Sequence, residues 1–163
     1  MRMAQPLVIH EAEVDQELLD YNGHLTEWAY FRIFSDALTT LIEEIGVGKE
    51  HRRQTGGTMY SLESRGLFFK EARLGARLSV TARVLDVNEK RMHVLLDLHN
   101  GDLLCASYEN ISVYVRQSVD GPPRSAPFPA TALAWFEQQK AISDATPWPA
   151  YAGRGLSLAR RKV

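Results

Sequence analysis

The sequence predicts an α+β fold, one long amphipathic helix wrapped by a curved antiparallel sheet, and two observations predict it. Between Glu27 and Ile45, apolar residues recur at Phe31, Phe34, Leu38, Leu41 and Ile45, the three- and four-residue spacing that gathers them on one helical face. After Gly57 the period shortens to two: Leu78, Val80, Ala82 and Val84 alternate with Ser79, Thr81, Arg83 and Leu85, as a strand with one face on the core requires. A stripe this long and apolar needs cover on most sides, which a strongly curled sheet provides.

Taken in order, Pro6 to Val14 opens with Leu7, Val8 and Ile9 and reads as a short strand. The helix over Glu27–Ile45 has both ends marked. Thr26 suits the N-cap, Glu27 the positive end of the dipole, and Gly46 or Gly48 the left-handed residue that ends it. Lys49 to Gly57 reads as a polar linker. Four strands follow, at Thr58–Phe69, Ala76–Asn88, Lys90–Asn100 and Leu103–Arg116, broken at Gly75, at Asn88-Glu89 and at Asn100-Gly101-Asp102. The Asn-Gly pair favours a type I′ hairpin. Ser118 to Pro129 holds four prolines and ends the sheet, because proline cannot donate to a ladder. Ala130 to Ile142 reads as a short helix through Leu133, Trp135 and Phe136, and Thr146 to Val163 as a tail ending in Arg160-Arg161-Lys162. The expected organisation is a main domain over 1–117 and a proline-rich extension over 118–163, with neither repeats nor low-complexity blocks.

Length and composition agree with one independently folding chain. Its 163 residues are 45% hydrophobic and 24% charged, near the ~150 residues of a typical domain. Such a chain buries ~70% of its unfolded surface and needs neither disulfides nor a structural metal. The single Cys105 allows no intrachain bridge; it sits among Leu103, Leu104 and Ala106 and reads as a buried thiol. A net charge of −1 argues against a nucleic-acid footprint over the whole domain. No stretch approaches the ~18 apolar residues of a membrane span, and the first residues do not form a signal peptide. A cytoplasmic protein is expected. His93 and His99, on one strand, are too far apart for a simple ligand pair, and no metal spacing or glycine-rich phosphate loop is present.

Chemistry is expected in the segment between the first strand and the helix, Asp20-Tyr21-Asn22-Gly23-His24-Leu25-Thr26-Glu27. It combines a carboxylate ahead of a helix, a glycine that permits close backbone approach, and first-turn amides without intrahelical partners. Together these supply a nucleophile or base beside a pocket for an anion. A simple turn in which Asp20 caps its own loop would contain the same residues. His24 fits two roles, orienting water or the reacting carbonyl, or bonding within the loop.

The pattern Asp-x-x-Gly-His-Leu followed by an aromatic-rich helix resembles the entry of the hotdog-fold acyl-CoA thioesterases of the 4-hydroxybenzoyl-CoA thioesterase type. The longer string from Asp20 to Glu27 with Tyr30, Phe34, Asp36 and Leu41 is similar to the betainyl-CoA thioesterases of carnitine degradation, as is Asn88-Glu89-Lys90-Arg91-Met92-His93. The similarity runs from about Leu7 to Val115. It implies a thioester hydrolase that cleaves a short acyl-CoA, with a betaine-like acyl group as the specific case and no cofactor beyond the coenzyme A of the substrate. Asp20 takes the place of the catalytic carboxylate, as nucleophile or general base, and the Glu27 N–H the place that polarises the thioester carbonyl. Thr26 stands where many members have asparagine, and Leu18 where many have an acidic residue. His24 and Glu63 are the further catalytic candidates. Tyr21, Trp28, Tyr30 and Tyr60 are candidate aromatic faces for a trimethylammonium group and Glu63 its candidate negative charge, beside Asn22 and Gly23 of the motif. Arg65, Lys70, Arg73, Lys90 and Arg91 are candidates for the coenzyme A phosphates. The resemblance further implies a homodimer or dimer of dimers, with each site between subunits. Two other activities use similar residues: a hotdog acyl-CoA hydratase, whose Asp, Asn, Pro, His pattern differs from this one, and a non-catalytic acyl-CoA-binding domain.

Overall fold

The amphipathic stripe folds as a single helix, α1, over Glu27–Glu44. In the computed structural model, which describes residues 7–118 and 121–158, Ala29, Ile33, Phe34, Ala37, Leu38 and Leu41 are all buried. The face that needs cover is thus broader than the three- and four-residue stripe alone. Gly46, with φ 77°, ends the helix: its own N–H reaches Glu43 O, and the Val47 N–H reaches back to Ile42 O, as a left-handed C-terminal glycine allows. The N-terminus departs from expectation. Thr26 O accepts from the Ala29 and Tyr30 amides, but its hydroxyl is buried with no hydrogen-bond partner, so the side chain does not cap the helix.

Strands β1 (Leu7–Glu13), β2 (Gly57–Phe68), β3 (Arg77–Val87), β4 (Arg91–Asn100) and β5 (Leu103–Arg116) form an antiparallel sheet in the order β1-β3-β4-β5-β2. The α+β expectation therefore holds. A two-residue strand β6 (Arg124–Ser125) pairs with β5 inside the proline-rich stretch, so that stretch does not end the sheet outright. Its prolines flank the two paired residues and leave their N–H groups free to donate. At the β4–β5 turn only Gly101 has positive φ, 57°, and no other residue type does. The turn has the sign pattern of type II′ instead of type I′, because the asparagine stays in the strand and glycine takes the first turn position.

Contacts gather the chain into two units. The first comprises the described residues up to Thr40 with Gly66–Ala82 and Leu96–Tyr108. Here Phe34 stacks on Tyr108 at 5.2 Å, and Phe31 meets Tyr108 and Phe68 edge-on at 5.9 and 6.0 Å. Gly66 makes room for this packing, since a Cβ there would stand 2.9 Å from the Phe31 ring. Cys105 is fully buried in this unit, and burial pushes its thiol pKa up, as expected of an inert core thiol.

The second unit comprises Leu41–Arg65, Arg83–Leu95 and the described residues from Glu109 onward. The expected linker Lys49–Gly57 is a helix here, α2 (Lys49–Thr55). It is polar all round, held by Glu50 with Arg53 and Gln54 and closed by Gly56 at φ 69°, so it leaves no apolar period to read. Helix α3 spans Ala130–Asp144, two residues longer than expected, and buries Ala132 and Phe136. The segment beyond Thr146 is not a loose tail as far as it is described. The Arg83 guanidinium donates to Pro147 O and Thr146 Oγ1, Arg65 to Tyr151 O and Arg154 O, and the Gly153 N–H donates to Glu109 Oε1. Leu85, two residues on from Arg83 in β3 and expected to face away from the core, is fully buried. The basic end Arg160-Arg161-Lys162 lies outside the described residues.

Candidate active site

The loop between β1 and α1 is pinned from both sides by backbone bonds. The Leu25 N–H donates to Ala72 O at 2.8 Å and the Thr26 N–H to Leu18 O at 2.8 Å, while Leu19 bridges Leu25 and His24 bridges Arg73. Within it, the Asp20 N–H donates to His24 O at 2.8 Å and the Gly23 N–H to Asp20 O at 3.0 Å. Gly23 takes φ 75°, which explains why glycine follows the carboxylate by three positions.

This turn sets the Asp20 carboxylate. Oδ1 accepts the Asn22 amide at 2.8 Å and the His24 amide at 3.1 Å, whereas Oδ2 has only the Asn22 Nδ2 group at 3.5 Å. The amides, that of His24 foremost, hold the Asp20 pKa below the ordinary carboxylate value. Asp20 thus caps its own loop through Oδ1, while Oδ2 has a single long contact.

Asp20 lines a cleft of about 510 Å³ in the first unit, with Asn22, His24, Leu25 and Glu27 from the loop and helix start. Tyr30 and the strand-end residues Phe68, Phe69, Lys70 and Glu71 complete it. The first amides of α1, at Glu27, have no intrahelical acceptor, and a carboxylate and the start of this helix line one cavity. The His24 Nε2 atom lies 3.1 Å from Glu71 Oε2. Tyr30, buried, donates its hydroxyl to Lys70 O and meets Phe68 edge-on at 5.2 Å; burial raises its pKa. A second cleft of about 530 Å³ shares Lys70 and Glu71 and adds Arg73, Gly75 and Asn100.

Of the sequence candidates, Asp20, Asn22, His24, Glu27, Tyr30 and Lys70 meet in the first cleft, and Gly23 shapes its turn. Tyr21, 97% exposed, and Trp28, 53% exposed, are not among its lining residues. Tyr60, Glu63, Arg65, Lys90 and Arg91 belong to the second unit and do not line it either. Glu63 and Tyr60 are exposed on β2, and Lys90 pairs with Glu89 at 3.4 Å. Arg65 is spent on carbonyls of the C-terminal segment and on Glu109, 3.4 Å away. Sequence reasoning missed Glu71 and the pair Phe68-Phe69. Two adjacent phenylalanines at a strand end cannot both face the core, and that was the available signal. It also missed His93–Glu109, a buried pair 2.9 Å apart. Among the described residues no group of side chains has the makings of a metal site, and no helix is long and apolar enough to cross a membrane.

The family model described as the thioesterase-like superfamily matches residues 14–136, past Val115 and into α3. The betainyl-CoA thioesterase of Pseudomonas aeruginosa strain PAO1 is 36% identical over 159 residues, covering 96% of this chain and 98% of that protein. The L-carnitine dehydrogenase/betainyl-CoA thioesterase of Agrobacterium fabrum is 31% identical over 96% of this chain, which spans 32% of that longer protein. A Staphylococcus aureus protein solved in complex with CoA shares the fold, with a TM-score of 0.83 at 24% identity, over 94% of this chain and 96% of that one.

Proposed function

This chain belongs to the thioesterase-like superfamily and has its hotdog fold, and on that premise we propose that it hydrolyses a short acyl-CoA at the cleft beside Asp20. One observation carries the reading: the Asp20 carboxylate and the first turn of α1 line the same cavity. The helix end offers N–H donors to the carbonyl oxygen as it becomes an oxyanion. Asp20 Oδ2 either takes a proton from water as the water oxygen attacks the carbonyl carbon, or attacks that carbon itself. On the first route the C–S bond breaks and the acid forms directly; on the second, loss of the thiolate leaves an Asp20–acyl anhydride, which water hydrolyses to the acid and free Asp20. On both, the thiolate takes the proton released from water and leaves as the free thiol of CoA. His24, held against Glu71, stands beside this oxygen's loop and orients the water or the thioester.

The acyl group we propose is a betaine-like one. The names of the relatives support it, as do aromatic walls at Tyr30, Phe68 and Phe69 with carboxylates at Asp20, Glu27 and Glu71, a lining suited to a trimethylammonium group. Lys70 and Arg73, in the adjoining cleft, are proposed for the phosphates of coenzyme A. Colorimetric detection of free thiol from a panel of short acyl-CoAs tests the reading. Stoichiometric thiol and acid are expected; conversion without thiol release indicates a hydratase, and binding without conversion indicates a sensor.

A further inference from the structure

We propose that the Glu27 carboxylate, and not only the Glu27 N–H, acts in this site, as the group that selects a cationic acyl chain. The inference rests on the thioesterase reading above and assigns its specificity. In a betainyl thioester a single methylene separates the carbonyl from the quaternary nitrogen, so the charge that recognises the nitrogen must line the cleft where the carbonyl reacts. Three carboxylates do so. Asp20 is already compensated by the amides of Asn22 and His24. Glu71 stands against His24 at 3.1 Å and Arg73 at 4.0 Å. The Glu27 side chain is exposed and, among the described residues, makes neither an ion pair nor a side-chain hydrogen bond, Lys70 of the same lining included.

A trimethylammonium group donates no hydrogen bond, so it needs only ring faces and an uncommitted negative charge. The Tyr30–Phe68 pair, with Phe69, supplies rings in the same cleft. The Glu27 carboxylate also acts against neutral substrates. It lies on the residue whose N–H serves the oxyanion in the reading above, and like charge there opposes the transition state. A cationic acyl group offsets that charge, whereas an uncharged one leaves it. One side chain thereby favours the cation and disfavours its neutral counterpart.

The test compares betainyl-CoA with 3,3-dimethylbutanoyl-CoA, which has the same shape and no charge, in wild type, Glu27→Gln and Glu27→Asp. The wild type is expected to prefer betainyl-CoA. In Glu27→Gln, kcat/KM is expected to fall for betainyl-CoA and rise for the neutral thioester, shrinking the preference about tenfold, whereas Glu27→Asp keeps most of it. A preference unchanged in Glu27→Gln, or lost equally in Glu27→Asp, overturns the assignment while leaving the thioesterase reading intact. A wild type that cleaves neither compound overturns both.

Discussion

The amides on Asp20 Oδ1 set how the protonation of this carboxylate acts on the protein. Amides on Oδ1 favour the carboxylate form, so the folded-state pKa lies below the ordinary value. The stabilisation it contributes is therefore present above the unfolded pKa and lost only as pH falls through the lower folded one. Catalysis that needs ionised Asp20 follows the same curve. The acid limb of kcat/KM is expected below the normal aspartate range, and a limb centred well above that range contradicts a role for this group. Single-turnover hydrolysis in 18O-labelled water tests the nucleophilic route: label left on Asp20 marks an anhydride opened at its aspartyl carbonyl. The motif was legible at this scale because a glycine with φ 75° three residues after a carboxylate leaves a fixed spacing in the sequence. Glu71 was not, because it reaches the cleft from a segment distant in sequence.

At the scale of elements, the second unit depends on a buried carboxylate. Glu109 receives His93 at 2.9 Å on one oxygen and the Gly153 amide at 2.9 Å on the other, with Arg65 beside it. Glu109→Ala removes the acceptor for all three and is expected to cost about 3–5 kcal/mol, measured as a lower urea midpoint; a loss below about 0.5 kcal/mol, as at an exposed surface position, contradicts this account. Phe34→Ala deletes a fully buried ring stacked on Tyr108 and is expected to cost a similar ~3–5 kcal/mol. Elements with an apolar period, α1 and β2 to β5, were readable to within two residues. Helix α2 and the segment after Thr146 were not, since polar pairs and single hydrogen bonds such as Gly153 to Glu109 place them, and neither leaves a period.

For the whole molecule, β2 stands at the end of the sheet order, and a run of five consecutive residues in it, Tyr60 to Ser64 with Glu63 among them, is exposed. An edge this long with unpaired backbone groups invites pairing with a second copy. A homodimer is therefore expected by light scattering at micromolar concentration, and a monomer there contradicts the proposed assembly. The central claim, that the cleft beside Asp20 is a thioesterase site, is tested most directly by thiol release from betainyl-CoA in wild type and in Asp20→Asn, with circular dichroism confirming that both are folded. The account predicts turnover by the wild type and a fall in kcat of about 10²-fold or more in the variant with KM little changed. Equal turnover by the two folded proteins would contradict it.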